Sequence, residues 1–251
     1  MLRLLDRATA VALAVETFEQ SGIWTLTIAD AGYPSALGER LGDAAPPVLH
    51  GAGPVAALTV PQVGVVGSRN VSPEAAGVAT AAGREAAARG AGVVSGSARG
   101  VDALAMEAVR AAGGHAVGIL ADSLTRTVRS AELRRANLEE TLTLVTPYAP
   151  GAGFSAGFAM GRNKIIYALA ASVLVVTTDL DSGGTWAGAT EALAHGYADV
   201  AVWAGAGAGP GNAALAERGA RAIHDVADLF DAPVRPPGRR DPGDDQLSFA
   251  V

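Results

Sequence analysis

Two glycine-serine-arginine turns in this chain each follow a short apolar run. Val63-Gly64-Val65-Val66 leads into Gly67-Ser68-Arg69, and Gly92-Val93-Val94-Ser95 leads into Gly96-Ser97-Ala98-Arg99-Gly100-Val101-Asp102. Glycine lets a backbone come close to a ligand, and the N–H groups at a helix start bind anions. An arginine in each turn adds a planar fork that fits phosphate. Two further constellations share this character. Arg162-Asn163-Lys164 precedes the apolar Ile165-Ile166, and Asp179-Leu180-Asp181-Ser182-Gly183-Gly184-Thr185-Trp186 follows the strongest strand candidate, Val173-Leu174-Val175-Val176. All four point to phosphate binding.

Each constellation also has a plain reading. The first turn lacks the full Gly-x-Gly-x-x-Gly pattern, and Ser95-Gly96 stands where an acidic residue would bind a ribose, so a dinucleotide is not expected. Asp102 reads as an N-terminal helix cap. The cations at 162–164 read as a helix start, where they oppose the helix dipole unless an anion is bound. Lys164 is the only lysine among 19 basic residues. Asp179 and Asp181 read as turn residues, with Mg2+ coordination through a nucleotide as the alternative. Trp186 reads as core. No catalytic constellation, resident cofactor or metal site emerges.

The elements that must position these residues follow from the apolar pattern. Strands are expected at 63–67, 91–95, 115–120, 141–145, 172–178, 199–203 and, weakly, 221–223. Helices are expected at 1–21, 73–89, 101–112, 130–139, 161–171, 186–195, 212–218 and 225–231. Near-continuous apolar strands alternating with amphipathic helices indicate an α/β fold, a doubly wound and mostly parallel sheet. Both glycine-serine-arginine turns then lie on one carboxyl edge of that sheet. Residues 1–60 form a helical N-terminal extension that wraps the main domain, residues 61–231 form that domain, and 232–251 form a flexible tail.

Composition narrows the function classes. The chain has 251 residues, no cysteine and a net charge of −6. Disulfides, thiolate nucleophiles and cysteine-bound metal are excluded. The acidic balance excludes coating of nucleic acid by bulk charge, so any nucleic-acid site is a local patch. No apolar stretch is long enough to span a bilayer, and the charges within Met1 to Arg7 do not suit a signal peptide. A cytoplasmic protein is expected.

The ordered set of motifs resembles the DNA-processing protein A (DprA/Smf) family. The resemblance runs from about Tyr33 to about Ile223. It rests on Tyr33-Pro34, Pro46-Pro47-Val48-Leu49, Gly67-Ser68-Arg69, Ser95-Gly96 through Asp102, Arg162-Asn163-Lys164-Ile165-Ile166 and Ser182-Gly183. The chain looks like a divergent, trimmed member, with a looser run before Asn163 than the family's Phe-Pro-x-Arg-Asn. The resemblance implies an extended Rossmann-like fold, single-stranded DNA as ligand, loading of a RecA-type recombinase in natural transformation, a homodimer and no catalysis. The phosphate-binding residues it implies are Gly67, Ser68, Arg69, Ser95, Gly96, Ser97, Arg99, Gly100, Arg162, Asn163, Lys164, Ser182, Gly183, Gly184 and Thr185.

The alternative is a nucleotide-binding sensor or enzyme related to the lysine-decarboxylase-like phosphoribohydrolases. Their Gly-Gly-x-Gly-Thr-x-x-Glu string is absent, since Gly183-Gly184-Thr185 is followed by Glu191 at the wrong spacing. Hydrolysis is therefore not expected, while mononucleotide binding stays open. At the extreme C-terminus, Gln246-Leu247-Ser248-Phe249 resembles the peptide that bacterial replication proteins insert into the sliding clamp, one residue short of the pattern. Its plain reading is a tail that folds back on the protein's own surface.

Overall fold

The computed structural model describes residues 2–130, 135 and 139–231. The expected helix at 130–139 lies largely outside the described residues, and the tail at 232–251, with Gln246 to Phe249, lies wholly outside them.

The described strands are β1 (Trp24–Thr27), β2 (Val48–Ala52), β3 (Gln62–Val66), β4 (Gly92–Ser95), β5 (Ala116–Ile119), β6 (Leu142–Thr146), β7 (Ser172–Val175), β8 (Asp199–Trp203) and β9 (Arg221–Ile223). They form one nine-stranded sheet in the order β1-β2-β6-β5-β4-β3-β7-β8-β9. From β6 to β9 all neighbours pair in parallel. The doubly wound α/β sheet read from the sequence is the fold of this chain.

Strand residues alternate between two apolar layers, as the two-residue period demands. Val66, Val94, Val117 and Val173 face a layer that includes Leu37, Ile165, Tyr167 and Trp186. Val63, Val65, Val93 and Leu174 face the opposite layer, with Ala79, Ala82, Ala105 and Val109. The helices of that second layer are α3 (Pro73–Ala88) and α4 (Val101–Ala111). Ser72 caps α3 by accepting from the Ala75 amide at 3.2 Å, and Pro73 occupies the first turn, where a missing N–H costs nothing. Alanine and glycine let α3 and α4 touch nearly backbone to backbone. A Cβ built on Gly83 would lie 2.4 Å from the Ala105 carbonyl oxygen.

The N-terminal region departs from its expected role as a wrapping extension. After α1 (Leu2–Gln20), β1 and β2 pair antiparallel with each other, and β2 pairs antiparallel with β6, so the segment lengthens the sheet. A short helix, α2 (Ser35–Leu41), lies between them and buries Leu37 and Leu41. The prolines and glycines around Val48–Ala52 hide the strand signal. Gly51 serves packing, because the Trp24 ring fills the space of its side chain, 2.2 Å from a built Cβ.

The remaining described helices are α5 (Leu124–Thr127), α6 (Ala156–Leu169), α7 (Gly183–His195) and α8 (Pro210–Glu217). Among the described residues no helix is long and apolar enough to cross a membrane.

Candidate nucleic-acid interface

In a doubly wound sheet, loops diverge where the strand order reverses, and a crevice opens at the carboxyl ends of the two strands there. In this chain the point lies between β3 and β7, which pair directly, Val66 opposite Val175. The chain leaves β3 towards β4 on one side and comes back from β6 to β7 on the other. A cavity of about 450 Å³ occupies the crevice.

Its first wall is the turn after β3. Gly67 must be glycine, since a Cβ would lie 2.6 Å from a Val101 methyl group. The Ser68 amide donates to the Thr177 carbonyl at 3.0 Å, and the Ser68 hydroxyl accepts from the Asn70 amide at 3.1 Å. Arg69 is exposed and lines the opening. The second wall is the start of α7, whose first three residues are Gly183, Gly184 and Thr185. Ser182 flanks it but makes no side-chain cap, so the first-turn amides keep no side-chain acceptor. The Thr185 hydroxyl donates to the Gly67 carbonyl at 3.1 Å and joins the two walls.

The third wall is α6. Ser155 caps it by accepting from the Phe158 amide at 3.0 Å. Asn163 donates from Nδ2 to the Gly184 carbonyl at 3.0 Å, fixing α6 against α7. Arg162 is only 7% exposed, yet among the described residues its Nε and Nη1 find no acceptor, and the buried Tyr167 hydroxyl has no partner among them either. Both residues line the cavity, as do the exposed Phe154 and Met160. Burial pushes the Arg162 guanidinium below its usual range, and Asp102 pulls it back up. Burial likewise pushes the Tyr167 hydroxyl up.

Asp102 also lines the cavity and is buried. Desolvation raises its carboxyl to about 6, against the opposing pull of Arg162 and of backbone donors. It accepts from the amides of Gly96 at 3.1 Å and Ala98 at 3.3 Å. Gly100, at φ 87°, takes the cap position of α4, so the expectation that Asp102 caps that helix is corrected. The carboxylate folds the preceding turn instead. A Cβ on Gly96 would sit 2.0 Å from Arg162 Nη1, so that turn must be bare for the guanidinium to lie beneath it.

Nine of the residues expected to bind phosphate come together here: Gly67, Ser68, Arg69, Arg162, Asn163, Ser182, Gly183, Gly184 and Thr185. Six do not line the cavity. Ser95 is buried and donates to the Val65 carbonyl at 2.6 Å. Ser97, at φ 53°, points its hydroxyl towards Met106 at 3.7 Å, beside a second cavity of about 260 Å³. Gly96 and Gly100 shape the turn, Arg99 is exposed outside the cleft, and Lys164 is half-buried on α6. No ion pair among the described residues engages Arg69, Arg99, Arg162 or Lys164.

Two element boundaries also change the argument. The helix expected at 161–171 begins at Ala156, so Arg162, Asn163 and Lys164 lie in mid-helix and no dipole cost arises there. The helix expected at 186–195 begins at Gly183, which puts the glycine pair in its first turn. Trp186 is core, with the Arg218 guanidinium 4.8 Å from its ring centre, and Asp181, at φ 54°, pairs with Arg218 at 3.7 Å.

Tyr167 and Asn212 both escaped the sequence reading. Asn212 is 2% exposed, accepts from the Thr178 amide at 3.0 Å and donates to the carbonyls of Val176 at 3.0 Å and Trp203 at 2.8 Å. It holds the loop that leads from β7 into the cleft. A lone asparagine near the start of an unremarkable helix carries no sequence signal of such a role.

Comparison with known proteins agrees with this architecture. The family model described as DNA recombination-mediator protein A matches residues 24–233. DNA processing protein A (DprA) from Streptococcus pneumoniae is similar at 26% identity and a TM-score of 0.72, over 82% of this chain and 73% of that one. DNA processing protein A from Helicobacter pylori, whose structure concerns its single-stranded DNA binding mode, is similar at 24% identity and a TM-score of 0.69, over 84% and 96%. The molybdenum cofactor binding protein of Rippkaea orientalis shares the fold at 17% identity and a TM-score of 0.50, over 68% and 94%. No curated protein sequence matches the chain. With its family model spanning all but the two ends, and with the Gly67, Arg162 and Ser182 motifs of the resemblance meeting in the cleft, this chain belongs to the DNA recombination-mediator protein A family.

Proposed function

We propose that the chain is a recombination mediator that binds single-stranded DNA in the cleft between β3 and β7. The carrying observation is Arg162, only 7% exposed, with two guanidinium donors that no group among the described residues accepts. An unpaired buried charge is costly, and such a cost makes sense where an anion supplies the missing acceptors. The open first turn of α7 and the exposed Arg69 complete a phosphate site. Phe154, 59% exposed at the mouth, gives a base an apolar face to rest on. Arg99 and Lys164, outside the cavity and without an ion pair among the described residues, take flanking phosphates. The H. pylori relative supports the choice of ligand, and the family's description as a recombination mediator supports delivery of the strand to a RecA-type recombinase.

The test is the salt dependence of oligo-dT binding. If ~3–4 phosphates are held, the log–log slope is about −2 to −3, at about 0.7 per phosphate of a single strand. Duplex of the same sequence binds more weakly. A slope near zero, or equal affinity for duplex, would sink the reading.

A further inference from the structure

We propose that the cleft selects a phosphate monoester, the terminal phosphate of a strand or a free nucleoside monophosphate, over the phosphodiester inside a strand. The proposal rests on the cleft being a phosphate site and names the kind of phosphate it takes.

Depth is the first argument. The unpartnered donors belong to Arg162 and Tyr167, which are 7% and 2% exposed. A phosphate that reaches them passes below the protein surface. An internal phosphate would bring a sugar on each side with it, whereas a terminal one brings a single substituent. The space is about 450 Å³, near the small end of the roughly 300–1,000 Å³ range of pockets that hold one compact ligand. It suits one nucleotide unit, with the base against Phe154 and Met160 at the mouth.

Oxygen count is the second argument. A monoester offers three terminal oxygens and close to two negative charges at neutral pH, with its second ionisation near about 6. A diester offers two such oxygens and one charge. The cleft is rich in donors and poor in net charge. Arg162 and Arg69 share its lining with Asp102 and Asp179, so bulk attraction is small and recognition depends on the hydrogen bonds made. The Asp102 carboxylate is occupied by the amides of Gly96 and Ala98. The Nε and Nη1 of Arg162, the Tyr167 hydroxyl and the first-turn amides of α7 remain, donors on several sides that the three oxygens of a monoester can meet more fully than the two of a diester.

The experiment uses the wild-type chain and competition against a labelled oligo-dT. The competitors are short linear oligo-dT with a 5′-phosphate, with a 3′-phosphate and with hydroxyls at both ends, the ligated circle, dTMP and thymidine. The expected result is that one phosphorylated end improves affinity by about tenfold or more over hydroxyl ends, equivalent to ~1.4 kcal/mol. The circle then matches the hydroxyl strand, and dTMP competes where thymidine does not. Equal affinity of circle, hydroxyl and phosphorylated strands overturns the monoester proposal and leaves single-stranded DNA binding standing. Binding of dTMP with no binding of any strand overturns the DNA reading and keeps the monoester, with the free nucleotide as its source. Failure of every competitor and of the labelled strand removes both. Arg162→Met should erase the end preference. Tyr167→Phe, which keeps the ring in its packing, should reduce it. A preference unchanged in both variants overturns the assignment of these donors.

Discussion

Replacing Arg162 by methionine should make the unliganded protein more stable and its binding to DNA weaker. The guanidinium has two buried donors without acceptors, Nε and Nη1. Each unmade bond costs about 1–3 kcal/mol, so removing both returns roughly 2–6 kcal/mol to the folded state. Methionine fills much of the volume of the arginine stem. The opposing cost lies at Asp102, which loses its cationic neighbour. Its carboxyl already stands at about 6. At pH 7 it can escape any further penalty by taking up a proton, which limits the added cost to about one pKa unit, ~1.4 kcal/mol. The net expectation is a gain of about 1–4 kcal/mol, because Asp102 can take up a proton and so leaves no uncompensated buried charge behind. Urea unfolding at pH 7, followed by the fluorescence of Trp24, Trp186 and Trp203, reads it directly. Oligo-dT affinity should fall by about tenfold to a hundredfold, the loss of roughly 1.5–3 kcal/mol from charge-assisted phosphate contacts. A variant less stable than the wild type with unchanged DNA affinity would refute the reasoning, because Arg162 would then be a structural ion that the fold needs.

Asp102 predicts a stability that falls with rising pH. Its folded value of about 6 lies above the ordinary 3.8, so between these the folded state holds more protons than the unfolded state, and about 3 kcal/mol is lost as pH rises through the window. Urea midpoints of Asp102→Asn should lack this decline, and a parallel decline in both proteins would assign it to other groups. Asn212→Ala should cost about 2–4 kcal/mol by thermal or urea unfolding, since it leaves the Thr178 amide and the Trp203 carbonyl without their partner. Arg69→Ala should weaken oligo-dT binding more than Arg99→Ala, because of the two only Arg69 lines the cleft, and anisotropy titrations showing the reverse order would move the DNA path towards the Gly96–Gly100 turn.

The parallel strands were legible because burial on both faces leaves them almost purely apolar, and the alternation with helices then fixes the class of sheet. β1 and β2 were not legible. β1 is a four-residue edge strand, and in β2, which pairs on both sides, Gly51 and the prolines nearby break the apolar run, because Trp24 on the neighbouring strand packs over Gly51 and donates to the Gly53 carbonyl. At the cleft, the residue types that can meet phosphate stood out through glycine, serine and arginine. Their division into liners and supports did not, because it depends on where a helix begins. A start at Ala156 rather than 161 turns Arg162 from an exposed cation into a buried one. Asp102 looked like a cap because acids favour helix starts. Only the fold of the Gly96–Gly100 turn shows that its carboxylate reaches backwards.

The walls of the cleft stand on β3 and β7, which are hydrogen-bonded neighbours, and the Thr185–Gly67 contact ties their loops together above the sheet. Backbone pairing therefore sets the gap between these two walls. The spacing of the two strand ends is thus set before a ligand arrives. Association should then be a single encounter whose rate follows diffusion and local charge. Differences between ligands, and between variants of the lining, should appear in how long each complex lasts.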